Sequence, residues 1–305
     1  FGSSTHSGSI SAPFAFLPSI VAMFGICSQK HLATEPEEAQ VQEEPQIQAR
    51  DSKRSLDRDQ TIHQHGIRTQ ADASVPAEKA LEKLKEGNLR FVEGKPLDRS
   101  FDSSARAALA QFGQNPFATI IGCADSRCPL EILFDVQPGD VFVLRNAGNT
   151  CTHAEGSLVG SVEYSVGHLH TQLVLVLGHT KCGAIAGATG LALSSSAKSE
   201  KSSLDKLLTG LGPVALQAKA ELQPGASTEE IAAHAVKVNV FHTIEKLLTY
   251  SKVIREKVSN GEVVVQGAIY DIVSGSVEFL GPCPKQALVL DKDAVLTTEA
   301  KVGGA

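Results

Sequence analysis

Tryptophan is absent from this chain of 305 residues, and methionine occurs once, at Met23. Aromatic residues make up only 5% of the chain, but hydrophobic residues reach 42%, so a sizeable core can form mainly from aliphatic side chains. The chain also lacks long runs of lysine and arginine, and its formal net charge is -6. This charge gives no basic surface for a phosphate backbone or an anionic membrane, so no nucleic-acid partner is predicted.

Cysteine is scarce as well. The six cysteines are too few and too scattered for a disulfide-stapled scaffold, which favours a soluble protein of a reducing compartment, either the cytoplasm or an organelle. In such a compartment some of these thiols can bind metal or take part in catalysis. They are Cys27, Cys123, Cys128, Cys151, Cys182 and Cys283.

The first 75 residues do not resemble a folded domain. An apolar stretch at 10–27 is a candidate signal or anchor segment, but it contains two prolines, has no preceding positive charge and is not a clear membrane span; a translated leader is the alternative. From Thr34 to Val75 the chain is rich in Glu, Gln, Asp and Arg, which predicts a flexible tail. We therefore expect a tail or leader over 1–75, a catalytic domain over 76–290 and a C-terminal tail over 291–305.

The expected domain has an α/β pattern. Short continuous apolar runs alternate with helical stretches, at 117–125, 140–148 and 172–180. Strands that are apolar throughout, rather than alternating, indicate a mostly parallel sheet flanked by helices. A long helical region at 228–257 precedes a strand and its hairpin partner within 262–280, and helices within 76–113 form an N-terminal arm.

Chemically reactive side chains follow two of these strands. Cys123 and Asp125 end the first strand, and His179 and Cys182 follow the third, so neighbouring parallel strands can bring all four together. A cysteine in an apolar strand is usually a small buried hydrophobe, and either pair alone is weak evidence. Together, two thiolates, an imidazole and a carboxylate predict a Zn²⁺ site. Cys128, by contrast, is expected to point away and to be structural.

Residues 114–183 resemble the β-class carbonic anhydrases. The resemblance rests on CADSR at 123–127 and HTKC at 179–182, and it is reinforced by QPGDVFVLRNAGN at 137–149 and VEYSVGHL at 162–169. It implies the fold of that family, a β-carbonic anhydrase-like parallel sheet.

The resemblance also implies roles for single residues. Cys123, His179 and Cys182 would bind zinc, and Asp125 and Arg127 would form a catalytic dyad. The implied activity is carbonate dehydratase, the reversible hydration of CO2 to bicarbonate and a proton by attack of zinc-bound hydroxide. The carboxylate would accept the hydroxide's hydrogen bond while the guanidinium holds it by a bidentate pair. A simple surface ion pair is the alternative for these two residues.

The same likeness assigns a substrate pocket to less distinctive positions. Gln114, Phe142, Tyr164 and Gly183 correspond to substrate-binding residues, and His168 is a candidate proton shuttle, since an imidazole titrates near neutral pH. Each has a plainer alternative. The glutamine could be a solvated helix-end residue, the phenylalanine could be explained by core packing, and the histidine could be structural.

Two further alternatives remain for the function itself, a related zinc hydrolase of carbonyl sulfide or carbon disulfide and a non-catalytic zinc-stabilised interaction domain. The latter would not need Asp125 and Arg127. For partners, the likeness implies CO2 and bicarbonate and a homodimer or tetramer with Gln114 contributed partly across the interface. Some members close their site by moving the aspartate onto zinc, beside a pocket built partly from tryptophan. Ile120 stands at that position here, which disfavours closure, although Arg145, which would belong to the same pocket, is present.

Overall fold

The computed structural model describes residues 66–97, 101–151, 156–194 and 202–291. The strands of these residues are β1 (Ala118–Cys123), β2 (Val141–Asn146), β3 (Leu173–His179), β4 (Val264–Tyr270) and β5 (Val277–Gly281). The helices are α1 (Ala77–Val92), α2 (Ser103–Phe112), α3 (Leu130–Leu133), α4 (Ser157–His168), α5 (Gly183–Leu193), α6 (Ser203–Gly210), α7 (Gly212–Glu221), α8 (Thr228–Tyr250), α9 (Lys252–Ser259) and α10 (Gln286–Leu290). The apolar stretch 10–27, most of the predicted tail and the C-terminal segment after 291 lie outside the described residues.

The strands form one sheet in the order β2-β1-β3-β4-β5. The first four are parallel to one another and β5 is antiparallel to β4. Every residue of β1 and β3 is buried, as their continuous apolar runs predict. The predicted fold class, a mostly parallel sheet flanked by helices, is confirmed.

Helices cover both faces of the sheet. One buried cluster joins the inner side chains of α4, α8 and α9 to the sheet, and a second joins α1 and α3 to the opposite face. Helix α8 lies very close to the strands because Gly178 and Gly267 have no side chains: a Cβ there would come within 2.7 and 2.6 Å of the Val240 methyl groups. A third cluster packs α5, α7 and the start of α8 around Cys123 and Cys182.

The helical region predicted at 228–257 is two helices rather than one. Helix α8 begins with a capping box between Ser227 and Glu230. It ends at Tyr250, and Ser251 is the N-cap of α9. The Ser251 hydroxyl accepts a hydrogen bond from the Ile254 N–H and donates one of 2.6 Å to Glu163 on α4. This contact with a distant helix stabilises a new helix start at Ser251, although the helical pattern of the sequence shows no break there.

The segment before α1 packs against the folded body. Ile67 is buried with Ala105 and Ala108 of α2. The Arg68 Nε donates a 2.9 Å hydrogen bond to the carbonyl of Asn115, and the Asn115 amide donates in turn to the carbonyl of Asp72. Residues before α1 therefore contact α2 and the segment that leads into β1.

The N-terminal arm keeps apolar surface exposed. Leu89 and Val92 of α1 are 58% and 45% exposed, and Phe101 before α2 is 40% exposed.

Among the helices of the described residues, none combines the length and the apolar character needed to cross a bilayer.

Candidate active site

The predicted metal ligands converge at the carboxyl ends of two adjacent strands. Cys123 is the last residue of β1 and His179 the last residue of β3, and the turn after β3 delivers Cys182. All three side chains are buried, and their ligand atoms lie within 4.8 Å of one another. The predicted convergence of these three side chains is therefore confirmed, and the cluster could hold a metal ion.

Backbone N–H groups surround both sulfurs. The Cys123 Sγ accepts from the N–H of Asp125 at 3.4 Å and from that of Gly148 at 3.3 Å. Cys182 is the N-cap of α5, and the nearby backbone N–H groups of Ile185 and Ala184 act to lower the pKa of its thiol, although neither makes a capping hydrogen bond. Such donors stabilise the thiolates that metal binding requires.

The two thiols are coupled. The interaction between the two neighbouring thiols lowers the pKa of Cys123 and raises the pKa of Cys182. Burial lowers the pKa of His179, but the neighbouring thiols of Cys123 and Cys128 outweigh it and raise that pKa to about 10. A metal ion must therefore displace protons from this cluster, which makes its binding pH-dependent.

The His179 ring is oriented for a ligand. Its Nδ1 lies 3.0 Å from the carbonyl oxygen of Thr180, and its buried Nε2 has no hydrogen-bond partner among the described residues. A buried polar atom without a partner is costly, and a metal ion removes that cost. Two thiolates and one imidazole nitrogen are the donor set that zinc prefers, so these residues fit zinc.

The Asp125 carboxylate is held by Arg127 through both oxygens. The Nε donates to Oδ1 at 2.9 Å and Nη2 donates to Oδ2 at 2.7 Å. These bonds and the Arg127 N–H keep the pKa of Asp125 well below its usual range. The Arg127 Nη2 also donates to the carbonyl of Lys181, and the Asp125 Oδ2 stands 3.9 Å from the His179 Nε2. The dyad is thus tied to both strand ends of the cluster.

Two supporting contacts were not predicted from the sequence. Arg145 of β2 donates from Nε to the carbonyl of Cys123 at 2.9 Å and from Nη2 to the carbonyl of Asp125 at 2.7 Å. On the other side, the Thr180 hydroxyl donates to the Asp271 carboxylate at 3.2 Å and accepts from a backbone N–H after β4. The only sequence signal for these contacts is the position of each residue at a strand end.

Cys128 is buried among apolar side chains. It belongs to the cluster with Leu130 and Leu133, whereas Cys123 and Cys182 belong to a different cluster. The chain turns after β1 with a hydrogen bond from the Cys128 N–H to the Asp125 carbonyl. That Cys128 points away from the metal cluster and is structural stays a prediction.

The predicted pocket residues do not all meet the cluster within one chain. Phe142 and Tyr164 have ring centroids 6.1 Å apart, and the Tyr164 and His168 rings are 5.3 Å apart, so these three form an aromatic row. Phe142 pairs with Thr119, four residues before Cys123, and four residues of strand span about 13 Å. The row therefore lies toward the opposite end of β2.

The two remaining pocket residues differ in position. Gln114 is exposed in the link before β1. Gly183 begins α5 beside Cys182, and a Cβ there would meet no atom within 4 Å, so the space next to the cluster is open.

Comparison with known proteins supports one family. The family model described as carbonic anhydrase matches residues 118–277. Carbonic anhydrase 2 of Mycobacterium tuberculosis is 35% identical over 192 residues, covering 63% of this chain and 87% of that protein. The β-carbonic anhydrase CafA of Aspergillus fumigatus is 32% identical with a TM-score of 0.54, covering 72% of this chain and 97% of that one.

A third similar structure is one of two tetrameric β-carbonic anhydrases of Sordaria macrospora. It is 34% identical with a TM-score of 0.50 and covers 58% of this chain and 85% of that one. The matched family region contains the whole Cys-His-Cys cluster and the Asp125–Arg127 pair. With its sheet, its metal-binding cluster and these relatives, the chain belongs to the β-class carbonic anhydrase family, whose members are carbonate dehydratases.

Proposed function

We propose that this chain hydrates CO2 reversibly to bicarbonate and a proton, with Zn²⁺ held by Cys123, His179 and Cys182. The observation that carries the proposal is the convergence of three buried zinc-type donors within 4.8 Å, beside a carboxylate fixed by a bidentate arginine. Structural zinc sites usually have four protein ligands, whereas three protein ligands leave a position for a reacting molecule.

A bound Zn²⁺ would supply an acidified water, with its pKa lowered toward ~7, and hence a nucleophile at neutral pH. Asp125 accepts a hydrogen bond from that nucleophile and so orients it toward CO2. Arg127 keeps the carboxylate ionised and holds its plane through two hydrogen bonds. Arg145 holds the backbone on either side of Ala124 through the carbonyls of Cys123 and Asp125.

We further propose that the substrate pocket is completed by a second copy of the chain. The support is threefold: Phe142, whose ring neighbours that of Tyr164, lies about 13 Å along the sheet from the cluster of its own chain, Tyr164 is 47% exposed, and a similar enzyme is a tetramer. The exposed apolar residues of the N-terminal arm would be buried in the same interface. In this arrangement Gln114 and the aromatic pair line the partner's pocket, and His168 carries protons away.

The assembly makes a truncation prediction. A chain lacking residues 1–65 should remain a dimer or larger and should keep its activity, because the segment from Thr34 is rich in charged residues and Gln and offers little apolar surface to the folded domain. A chain lacking residues 1–114 should aggregate and be inactive, because the apolar side chains of α1 pack on one face of the sheet and would be lost. Light scattering coupled to gel filtration measures the size. A fully active monomer at assay concentration would refute the shared pocket.

The Thr180 hydroxyl should contribute to zinc affinity. It anchors the turn whose carbonyl orients the His179 ring, so Thr180→Val is expected to weaken zinc binding about 10- to 100-fold, measured by competition with a chelator. Ser274→Ala is the matched control, because its hydroxyl bonds to Asp271 but not to Thr180. Equal zinc affinity of the native chain and Thr180→Val would contradict the positioning role.

The direct test of the function uses the full chain loaded with zinc. Its CO2 hydration rate is measured by stopped flow, and its zinc content by elemental analysis. We expect one zinc per chain and a rate far above the uncatalysed reaction. A zinc-loaded chain without CO2 hydration would overturn the proposal, and parallel assays with carbonyl sulfide and carbon disulfide would then identify the related hydrolase.

A further inference from the structure

The turn after β2 directs a backbone donor at one of the clustered sulfurs. The Gly148 N–H donates to the Cys123 Sγ at 3.3 Å. Gly148 has a φ of 77° and Asn149 a φ of 45°, so two successive residues lie in the left-handed region. Glycine adopts many backbone conformations, and a left-handed φ is uncommon for other residues. The local chain alone therefore does not fix the direction of the Gly148 N–H.

Two side chains of α8 hold this turn. The Asn239 Nδ2 donates a 2.8 Å hydrogen bond to the carbonyl of Gly148, and the Thr243 hydroxyl donates one of 3.0 Å to the carbonyl of Asn149. The two donors are four positions apart, so they lie on one face of the helix. Both residues are 1% exposed, which keeps water from replacing either bond. Each left-handed residue of the turn is thus held by one buried side chain of α8.

Helix α8 is itself positioned beside another clustered ligand. Val236 and Val240 pack against the bare backbone of Gly178, which directly precedes His179 at the end of β3. Val236 and Val238 also belong to the buried cluster around the two sulfurs. The packing that brings α8 close to the sheet therefore also sets where its polar side chains meet the turn after β2.

The asparagine on α8 is not explained by packing alone. The Asn239 Oδ1 is buried and has no hydrogen-bond partner among the described residues. An unpaired buried carbonyl oxygen destabilises a fold, and leucine has the same branched shape without that cost. What asparagine provides, and leucine would not, is the hydrogen bond to the Gly148 carbonyl.

We propose that Asn239 and Thr243 are positioning residues for the metal centre. They hold the turn so that the Gly148 N–H stays directed at the Cys123 Sγ, where it stabilises the thiolate. Partners of this kind behind the ligands raise metal affinity without contacting the metal. The inference rests on the proposed zinc site, and it assigns a role in that site to α8, which carries none of the three ligands.

The test compares variants that remove one donor each. In full-length chains, Asn239→Leu removes the amide and Thr243→Val removes the hydroxyl, and each is expected to weaken zinc binding about tenfold in competition with a chelator. With Co²⁺ in place of zinc, the thiolate-to-metal charge-transfer absorption should move to longer wavelength, because a sulfur with a weakened hydrogen bond gives up electron density more readily. Thr243→Ser keeps the hydroxyl and should retain the native affinity and the native absorption.

The matched control is Thr119→Val. Its hydroxyl is equally buried and bonds to Ser165 at 2.7 Å and to Thr171 at 2.9 Å, but it lies four residues before Cys123 along β1. This variant should lose stability to unfolding while keeping the native zinc affinity and the native cobalt absorption. A change equal to that of Thr243→Val would show that any lost buried hydroxyl has this effect, and would overturn the positioning role.

Two other results would also overturn it. One is a native zinc affinity and cobalt absorption in Asn239→Leu and Thr243→Val, and the other is a Thr243→Ser variant that behaves like Thr243→Val. If Asn239→Leu does not fold, the comparison of the two Thr243 variants decides. A native chain that binds no zinc would overturn the proposed function and this inference with it, whereas a zinc-binding native chain with unaltered variants overturns the inference alone.

Discussion

Replacing Cys123 or Cys182 with alanine is expected to abolish zinc binding and CO2 hydration together. Either change leaves two protein ligands, and the buried His179 Nε2 would then face an incomplete site. Two ligands cannot hold zinc at the affinity of a three-ligand site, because the missing thiolate supplied a large share of the binding free energy. Zinc content by elemental analysis and CO2 hydration by stopped flow should both fall to background.

The control for these variants is Cys283→Ala. That thiol is equally buried, at 3% exposure, but it lies in the core between the sheet and α8, away from the cluster. It should keep full zinc while losing about 1 kcal/mol of unfolding free energy. Full zinc occupancy in Cys123→Ala or Cys182→Ala would disprove the ligand assignment.

Asp125→Asn is expected to keep zinc and to lose most of the activity. The carboxamide cannot accept two hydrogen bonds from Arg127 in the same way, and it lacks the charge that orients the nucleophile. We expect the hydration rate to fall about 100-fold or more, the loss seen when a positioned electrostatic group is removed from an active site. Zinc content should equal that of the native chain, since this carboxylate is not among the clustered ligands.

Two further variants test this prediction. Arg127→Lys keeps the positive charge but loses the bidentate hydrogen bonding to Asp125. It should therefore also lower the CO2 hydration rate while retaining zinc. Glu131→Gln makes the same carboxylate-to-amide change at an exposed position of α3 and should leave the rate unchanged. An unimpaired rate in Asp125→Asn would mean that the Asp125–Arg127 pair is structural only.

Much of this site could be predicted because the relevant signals are local. The run that ends in Cys123 is apolar throughout, which marks a buried strand, and the run that ends in His179 has the same pattern. In parallel sheets neighbouring strands end at the same edge, so residues 56 positions apart could be placed together without coordinates. The roles of the dyad and of the pocket residues came from family likeness and remain proposals.

Other features depended on contacts that no local pattern records. The break at Ser251 follows from its bond to Glu163, which is 88 residues away. The Thr180–Asp271 contact spans 91 residues, and Arg145 reaches back 22 residues to the Cys123 carbonyl. Such pairs form only once the whole sheet and its helices have packed.

By itself, then, the sequence determined the order of strands and helices along the chain, the mostly parallel sheet and the convergence of Cys123, Asp125, His179 and Cys182 at one edge of that sheet. These depend on the periodicity of apolar residues and on which residue follows each strand. The tertiary structure alone decided the bidentate geometry of the Asp125–Arg127 pair and the position of Phe142 about 13 Å along the sheet from the metal cluster. These depend on how closely distant elements approach, and that approach is set by packing across the fold, such as α8 against the bare backbone of Gly178 and Gly267.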